Sequence, residues 1–167
     1  MTDNPHRSDP IDYIQRTHDQ YAGLGFPPYG WVHSETPPDF SPLNKSLSDC
    51  KLGLVCSGGI YAVGQVAFHF KDDFSYREIA TNIPTEDLRA THFAYDLTDA
   101  HVDPNVVFPI DTLRSMVTND ELGSLADNAY TFMGGIYSAH KVADILAVAI
   151  ADRLVADEVD VALMVPV

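Results

Sequence analysis

A short segment of the sequence, Thr91-His92-Phe93-Ala94-Tyr95-Asp96, places side chains that could do acid–base chemistry close together. An imidazole titrates near neutral pH, so His92 could orient a substrate or move a proton, and it is the candidate catalytic residue. A metal site would require His92, Asp96 and His101, whose spacing matches no established ligand pattern, so we expect no metal. The alternative is a histidine that is hydrogen-bonded in the core or at an interface.

Two glycine turns are the candidate substrate-binding segments. Ser57-Gly58-Gly59 follows an apolar run, and its N–H groups could hold a carboxylate. Met133-Gly134-Gly135 leads to Ser138, where a helix N-terminus would favour an anion. Neither is a G-x-G-x-x-G fingerprint, and both could be ordinary structural turns. Tyr95 and Asp96, which lie close to His92 in the sequence, are also candidates. The candidate binding residues are therefore Ser57, Gly58, Gly59, Tyr95, Asp96, Met133, Gly134 and Gly135.

The two cysteines, Cys50 and Cys56, could form a redox pair, but their setting favours an inert role. Cys56 lies in an apolar run, where a cysteine usually acts as a small hydrophobic residue. The sequence has no serine elbow, so a hydrolase or isomerase that would use His92 and Asp96 is disfavoured.

The charge balance restricts the partners of the chain. Ten basic residues against 24 acidic ones give a net charge of −14. Such a chain repels phosphate backbones and anionic lipid surfaces, so we expect neither nucleic-acid nor membrane binding. The sequence has no apolar run long enough for a membrane span and no secretory signal, so we expect a cytoplasmic protein.

The first half of the sequence predicts a helix, an arm and the start of a sheet. The helix runs from Pro10 or Ile11 to about Ala22, with Asp9 as N-cap. Residues 23–45 form a loop with five prolines. A buried strand follows over Lys51–Cys56, then a second strand within residues 74–80. Residues 89–96 are a third strand or an extended loop.

The second half predicts a β-α-β unit. A short helix begins near Pro109, and residues 129–133 form a strand. Ser138 caps a helix that runs to about Ala156, and residues 159–165 form a further strand. We therefore predict an α/β fold, a Rossmann-like layered parallel sheet with helices. The predicted division is a helix and Pro-rich arm over residues 1–45 and an α/β domain over residues 46–167.

The last predicted strand, residues 159–165, is followed by Pro166 and Val167. Ligands of open α/β sheets bind beyond the carboxyl ends of the strands, on the loops that follow them. We expect a buried strand whose loop and covering helix are missing, so that the fold is incomplete at its C-terminus. The alternative is an edge strand that the N-terminal arm covers.

Six segments in series resemble the selenoprotein B family of the glycine, sarcosine, betaine and D-proline reductases. The resemblance covers residues 50–167. The segments are Ile83-Pro84-Thr85-Glu86-Asp87-Leu88, Thr91-His92-Phe93-Ala94-Tyr95-Asp96, residues 103–113, Gly123-Ser124-Leu125-Ala126, Tyr130-Thr131-Phe132-Met133-Gly134 and residues 159–167.

The resemblance implies a function and a missing residue. In that family the motif selenocysteine-x-x-cysteine begins after the strand that residues 159–165 resemble, and UGA encodes selenocysteine. It therefore implies that this chain is the N-terminal part of a selenoprotein and lacks the nucleophile. The implied reaction is reductive C–N cleavage of a small amino-acid-like substrate, with a thiol redox partner as electron donor. Other reductase subunits are implied partners, one of which could carry a pyruvoyl group. The alternative is a non-catalytic α/β interaction module.

Overall fold

The computed structural model describes residues 12–39 and 41–167, and the chain divides after Asp39 into two units. In the first unit helix α1 covers Tyr13–Gly23. Its N-cap is Asp12, whose carboxylate accepts a hydrogen bond from the N–H of Gln15 at 2.9 Å. The predicted cap Asp9 and the predicted start at Pro10 or Ile11 lie outside the described residues. The irregular segment after α1 contains edge-to-face contacts between aromatic rings, such as Tyr29 with Trp31.

The second unit alternates strands with helices. Its strands are β1 (Lys51–Cys56), β2 (Ile60–Ala62), β3 (Tyr76–Ala80), β4 (Leu88–Ala90), β5 (Ser124–Leu125), β6 (Asn128–Phe132) and β7 (Val161–Val165). Its helices are α2 (Thr98–Val102), α3 (Ile110–Thr118), α4 (Ala139–Lys141) and α5 (Ala147–Ala156), with a π-helical turn over Val142–Leu146 that joins α4 to α5. Short 3-10 helices cover Leu47–Asp49, Thr85–Asp87 and Pro104–Val106.

Strand β1 is the centre of the main sheet. Strand β7 pairs with it in parallel, from Leu52 opposite Val161 to Cys56 opposite Val165. Strands β5 and β6 also pair with β1 in parallel. Most of the β1 residues that they pair with also pair with β7, so β5 and β6 lie along the opposite edge of β1 from β7. Strand β3 is antiparallel to β6. The α/β prediction is confirmed, but the sheet is mixed and not wholly parallel.

Most predicted elements form where the periodicity places them. Strand β1 has the predicted bounds, α3 begins after Pro109, and Ser138 caps the helix that ends at Ala156. Strands β6 and β7 are parallel to each other because both are parallel to β1, which confirms the β-α-β unit. Residues 89–96 form a strand only as far as Ala90. No helix in the described part of the chain is long and apolar enough to cross a membrane.

The two faces of β1 enter two hydrophobic clusters. Leu52, Leu54 and Cys56 belong to a large cluster that includes residues of α3, whereas Val55 belongs to a second cluster with Ile150 of α5. Successive side chains of a strand point to opposite faces, so one apolar run supplies both clusters. This arrangement holds the carboxyl end of β1 in a fixed position.

The prediction that the last strand is buried is wrong. Leu163 is 37% exposed and Met164 is 60% exposed, although both are apolar. Strand β7 is an edge strand of the described sheet, because β1 is its sole strand partner there. Its side chains therefore have a neighbouring strand on one side only.

We expect Leu54→Ala to lower the free energy of unfolding by about 2–5 kcal/mol, because it opens a cavity beneath the central strand. Leu54 is 1% exposed. Leu163→Ala removes the same atoms from β7 and should cost about 1 kcal/mol or less. Urea denaturation of both variants measures the difference. Equal losses would contradict the assignment of β7 as an exposed edge.

Candidate functional site

The carboxyl ends of β1, β6 and β7 are tied together at Ser57. Its N–H donates to the carbonyl oxygen of Val165 at 3.1 Å, and its own carbonyl accepts from the N–H of Gly134 at 3.0 Å. Its hydroxyl oxygen accepts from the N–H of Val167 at 2.9 Å. The two predicted glycine turns therefore meet at one edge of the sheet, beside the residues that follow β7.

Gly59 brings the histidine segment to this edge. It adopts φ +67°, and a Cβ there would lie 2.0 Å from the carbonyl oxygen of Thr91. The N–H of Thr91 donates to the carbonyl of Gly59 at 3.0 Å. Only glycine combines this conformation with so close an approach, so Gly59 determines how near residues 91–95 lie to β1.

His92 is buried beside Gly59, with 4% of its surface exposed. Its Nδ1 accepts a hydrogen bond from the N–H of Ala94 at 3.0 Å. Its Nε2 is buried and has no hydrogen-bond partner among the described residues. Burial lowers the pKa of His92, because desolvation disfavours the charged imidazolium. The ring is therefore neutral at pH 7.

Tyr95 joins His92 at the site. The two ring centroids are 4.7 Å apart, and the Tyr95 hydroxyl donates to the carbonyl of Gly58 at 2.8 Å. Burial raises the pKa of Tyr95, so its hydroxyl keeps its proton at neutral pH. His92, Tyr95 and the first glycine turn, which the sequence offered as separate candidates, therefore lie together in the structure.

Sequence reasoning did not single out Phe93 as a site residue. Its ring stacks on His92 with centroids 5.8 Å apart and planes at 19°. It also covers Gly135, where a Cβ would lie 2.3 Å from its Cζ atom. Its position next to His92 in the sequence could have indicated a role at the site. Nothing in the sequence shows that the Phe93 ring packs against Gly135, which has no side chain to block it.

Asp96 does not join His92. Its carboxylate accepts from the N–H of Thr98 at 2.9 Å and from the Thr98 hydroxyl at 2.7 Å, and these bonds lower its pKa. The residue is exposed and stabilises the turn that leads into α2. The Nε2 atom of His101 lies 3.5 Å from the carbonyl of Ala90. Across residues 12–39 and 41–167, no three acidic, histidine or cysteine side chains are grouped for a metal.

The sequence predicted that backbone N–H groups of the glycine turns could hold a carboxylate. This prediction is wrong for three of them, because they are already hydrogen-bonded within the protein. The N–H of Gly59 donates to the carbonyl of Phe132 at 3.1 Å, and those of Ser57 and Gly134 are bonded within the protein as described above. Met133 forms an isolated bridge with Gly58 and its side chain is fully buried. These turns hold strand ends together, so these amides are not donors for a ligand.

A carboxylate already occupies the helix N-terminus that was expected to attract an anion. Asp72 accepts from the N–H groups of Tyr137 at 3.0 Å and Ser138 at 3.2 Å, and pairs with Lys141 at 3.1 Å. The hydrogen bond from Lys141 and the backbone bonds lower the pKa of Asp72. The favourable position for an anion exists, as the sequence predicts, but the protein fills it itself.

The cysteines are buried free thiols. Burial raises the pKa of Cys56 to about 12, so the thiolate is absent at neutral pH. The Sγ of Cys50 donates to the carbonyl of Ser46 at 3.1 Å. Cys56 lies in the large hydrophobic cluster, as expected of a small hydrophobic residue.

Comparison with known proteins defines the family. The family model described as glycine/sarcosine/betaine reductase selenoprotein B matches residues 35–166. D-proline reductase subunit gamma of Acetoanaerobium sticklandii is 31% identical over 134 residues, which are 80% of this chain and 55% of that protein. Glycine reductase complex component B subunit gamma of Carboxydothermus hydrogenoformans is 31% identical over 133 residues, or 77% of this chain and 30% of that protein.

The chain therefore belongs to the selenoprotein B family of glycine, sarcosine and betaine reductases, which confirms the resemblance. It spans about half the length of the D-proline reductase subunit and less than a third of the glycine reductase subunit. No solved structure matches the chain.

Gly59→Ala should destabilise the chain far more than Gly64→Ala. Both glycines have positive φ, so each substitution carries a strain of about 1–2 kcal/mol. A Cβ at Gly64 meets nothing within 4 Å, whereas one at Gly59 collides with the Thr91 carbonyl. Both variants carry the backbone strain, but only Gly59→Ala carries the collision. The difference between their urea denaturation midpoints therefore reports the effect of the collision. Similar midpoints would show that residues 91–95 are not held against β1.

We expect Cys56 to resist a thiol reagent at pH 8 in the folded chain. Its pKa of about 12 leaves almost no thiolate until the pH approaches that value or the chain unfolds. The Cys50→Ser variant isolates Cys56, and an aromatic disulfide reagent should label it only after denaturant is added. Rapid labelling without denaturant would place the thiol at the surface.

Proposed function

We propose that this chain forms the α/β part of a selenocysteine-dependent reductase that cleaves a C–N bond of a small amino-acid-like substrate. Family membership supports the class of reaction, and the relatives' names identify amino-acid reductases. The observation that carries the proposal is the meeting of three strand ends with a buried histidine. This is the edge of an α/β sheet where ligands bind.

The residues after β7 enter this edge. The N–H of Val167 donates to the Ser57 hydroxyl, and its Cγ2 atom lies 3.4 Å from the position of a Cβ on Gly58. We propose that the selenocysteine motif follows this strand, as the family resemblance implies, and that it lies next to Ser57 and Gly58. These small residues fit such a group, and the buried Nε2 of His92, on the segment that bonds to Gly59, has no hydrogen-bond partner among the described residues. A selenol ionises more readily than a thiol and supplies a nucleophile at neutral pH.

The proposed roles of this chain's own residues follow from their contacts. His92 contacts the substrate, either to orient it or to move a proton. Tyr95, Gly58 and Gly59 form one wall of the crevice, and Gly134 and Gly135 form another, with Met133 packed behind them. The ring of Phe93 excludes water from the imidazole, which strengthens hydrogen bonds made there.

The proposed reaction balances as a two-electron reduction. The C–N bond breaks, the carbon takes two electrons and one proton, and the nitrogen takes a second proton, leaving as a free amine or staying attached where the substrate is cyclic. A dithiol supplies both electrons and both protons and becomes a disulfide. The relatives' names describe subunits of reductases, so we include partner subunits in the proposal, one of which could carry a pyruvoyl group. Both the thiol donor and the pyruvoyl group belong to those partners and not to this chain.

The test begins with the nucleotides that follow the codon of Val167. We expect UGA, then an open frame with a cysteine codon three positions later. The full-length selenoprotein, produced with its partner subunits, should release ammonia or an amine from glycine, sarcosine or glycine betaine, or open the ring of D-proline at its Cα–N bond, when a dithiol is supplied. Serine at the UGA codon should abolish that activity.

The exposed edge of β7 favours a second candidate, a non-catalytic α/β interaction module. Met164 is 60% exposed on this strand, which would suit pairing with another chain. A different stop codon without downstream coding, or full activity with serine at the UGA codon, would favour the module and refute the reductase proposal.

A further inference from the structure

We propose that His92 holds the carboxylate of the substrate by donating a hydrogen bond from its Nε2–H, and that it does not act as a general base. The inference rests on the proposed function in one respect, namely that the substrate is an amino-acid-like acid. It adds the atom that binds the acid and the protonation state that this requires. His92 is thus a residue that determines specificity for a carboxylate.

The protonation state follows from the partner of the other ring nitrogen. The N–H of Ala94 donates to Nδ1 at 3.0 Å, and a donor can bond Nδ1 only through its lone pair. The single proton of a neutral imidazole must then be on Nε2. A base at Nε2 would need the opposite tautomer, which places N–H against N–H and breaks the bond from Ala94.

The Nε2–H group is a buried donor without an acceptor. In residues 12–39 and 41–167 it is the one buried side-chain nitrogen or oxygen atom that has no hydrogen-bond partner. Unpaired buried donors destabilise a folded chain and are rare in native structures. A ligand oxygen that accepts this hydrogen bond would remove that cost, so the donor is suited to a bound substrate.

The donor lies close to the strand ends, where we propose the crevice. The Cδ2 atom of His92, which is bonded to Nε2, lies 3.5 Å from the position of a Cβ on Gly59. This edge of the ring therefore lies against the first glycine turn. The amides of Ser57, Gly59 and Gly134 there are already bonded, so they do not compete for the ligand.

The residues around the donor leave it without an acceptor. Phe93 stacks on the ring, Tyr95 lies against it, and the Tyr95 hydroxyl is already donated to Gly58. The nearest carboxylate along the chain, Asp96, is bonded to Thr98. A hydrogen bond to an ionised oxygen is roughly twice as strong as one to a neutral oxygen. Because the proposed substrate is an amino-acid-like acid, we assign its carboxylate, and not an amide or a water molecule, as the acceptor.

The first test needs no reductase activity. Long-range ¹H–¹⁵N spectra of the histidine-labelled 167-residue chain report the tautomer, and the His92→Gln variant identifies the His92 signals. We expect a neutral ring with its proton on Nε2 at pH 7. A proton on Nδ1, or an imidazolium at that pH, would overturn the proposal.

The same sample tests the ligand. D-proline or glycine betaine should shift the Nε2–H resonance, whereas the corresponding amides should not. Equal shifts with acid and amide would indicate an uncharged acceptor, and an Nε2–H resonance that none of these compounds changes would indicate an internal water. Either result overturns the carboxylate assignment.

The kinetic test compares two substitutions in the full-length reductase. His92→Phe keeps an aromatic ring but has no donor, whereas His92→Gln keeps an N–H near the position of Nε2. We expect His92→Phe to raise KM about ten- to hundredfold with little change in kcat. We expect the KM of His92→Gln to be close to that of the wild type. A loss confined to kcat would indicate proton transfer and overturn the proposal.

Two controls separate this inference from the proposed function and from a structural role. A wild-type reductase without turnover would refute the proposed function, while the spectra still decide the role of His92. The denaturation midpoint of His92→Phe should be no lower than that of the wild type, because an unpaired donor is removed and Ala94 is exposed to water. A large drop would make His92 a structural residue.

Discussion

The structure depends on the parallel pairing of β1 with strands on both of its edges. Its faces supply two hydrophobic clusters, so packing holds β1 from both sides. Its carboxyl end is then a fixed point, and the residues after β6 and β7 bond to Ser57 there. A site built on three strand ends can hold its groups with little reorganisation, which catalysis and specific binding both require.

The chain carries many acidic residues, yet the groups at this edge are neutral. Burial keeps His92 uncharged and keeps the proton on Tyr95, while Asp96 is exposed and bonded elsewhere. The anion position at the start of α4 is filled by Asp72 together with Lys141. Both carboxylates are bonded within the protein, and the buried Nε2–H is the donor that we assign to an incoming carboxylate.

Local signals in the sequence located much of this arrangement. Apolar runs and caps predicted β1, β6 and the helix after Ser138, because periodicity and capping act over a few residues. The segment around His92 and the two glycine turns were identified from residue type alone. The same segments carried the resemblance that places the chain in its family, since those residues follow one another in the sequence.

The sequence by itself determined most secondary-structure elements, the family and the candidate site residues. The tertiary structure alone decided which of those residues meet. The antiparallel β3, the exposure of β7, the bonded amides at Ser57 and Gly59, and the carboxylate of Asp72 all depend on contacts between distant segments. A donor that is already hydrogen-bonded within the protein cannot bind a ligand. When its partner is distant in the sequence, only the tertiary structure shows that bond.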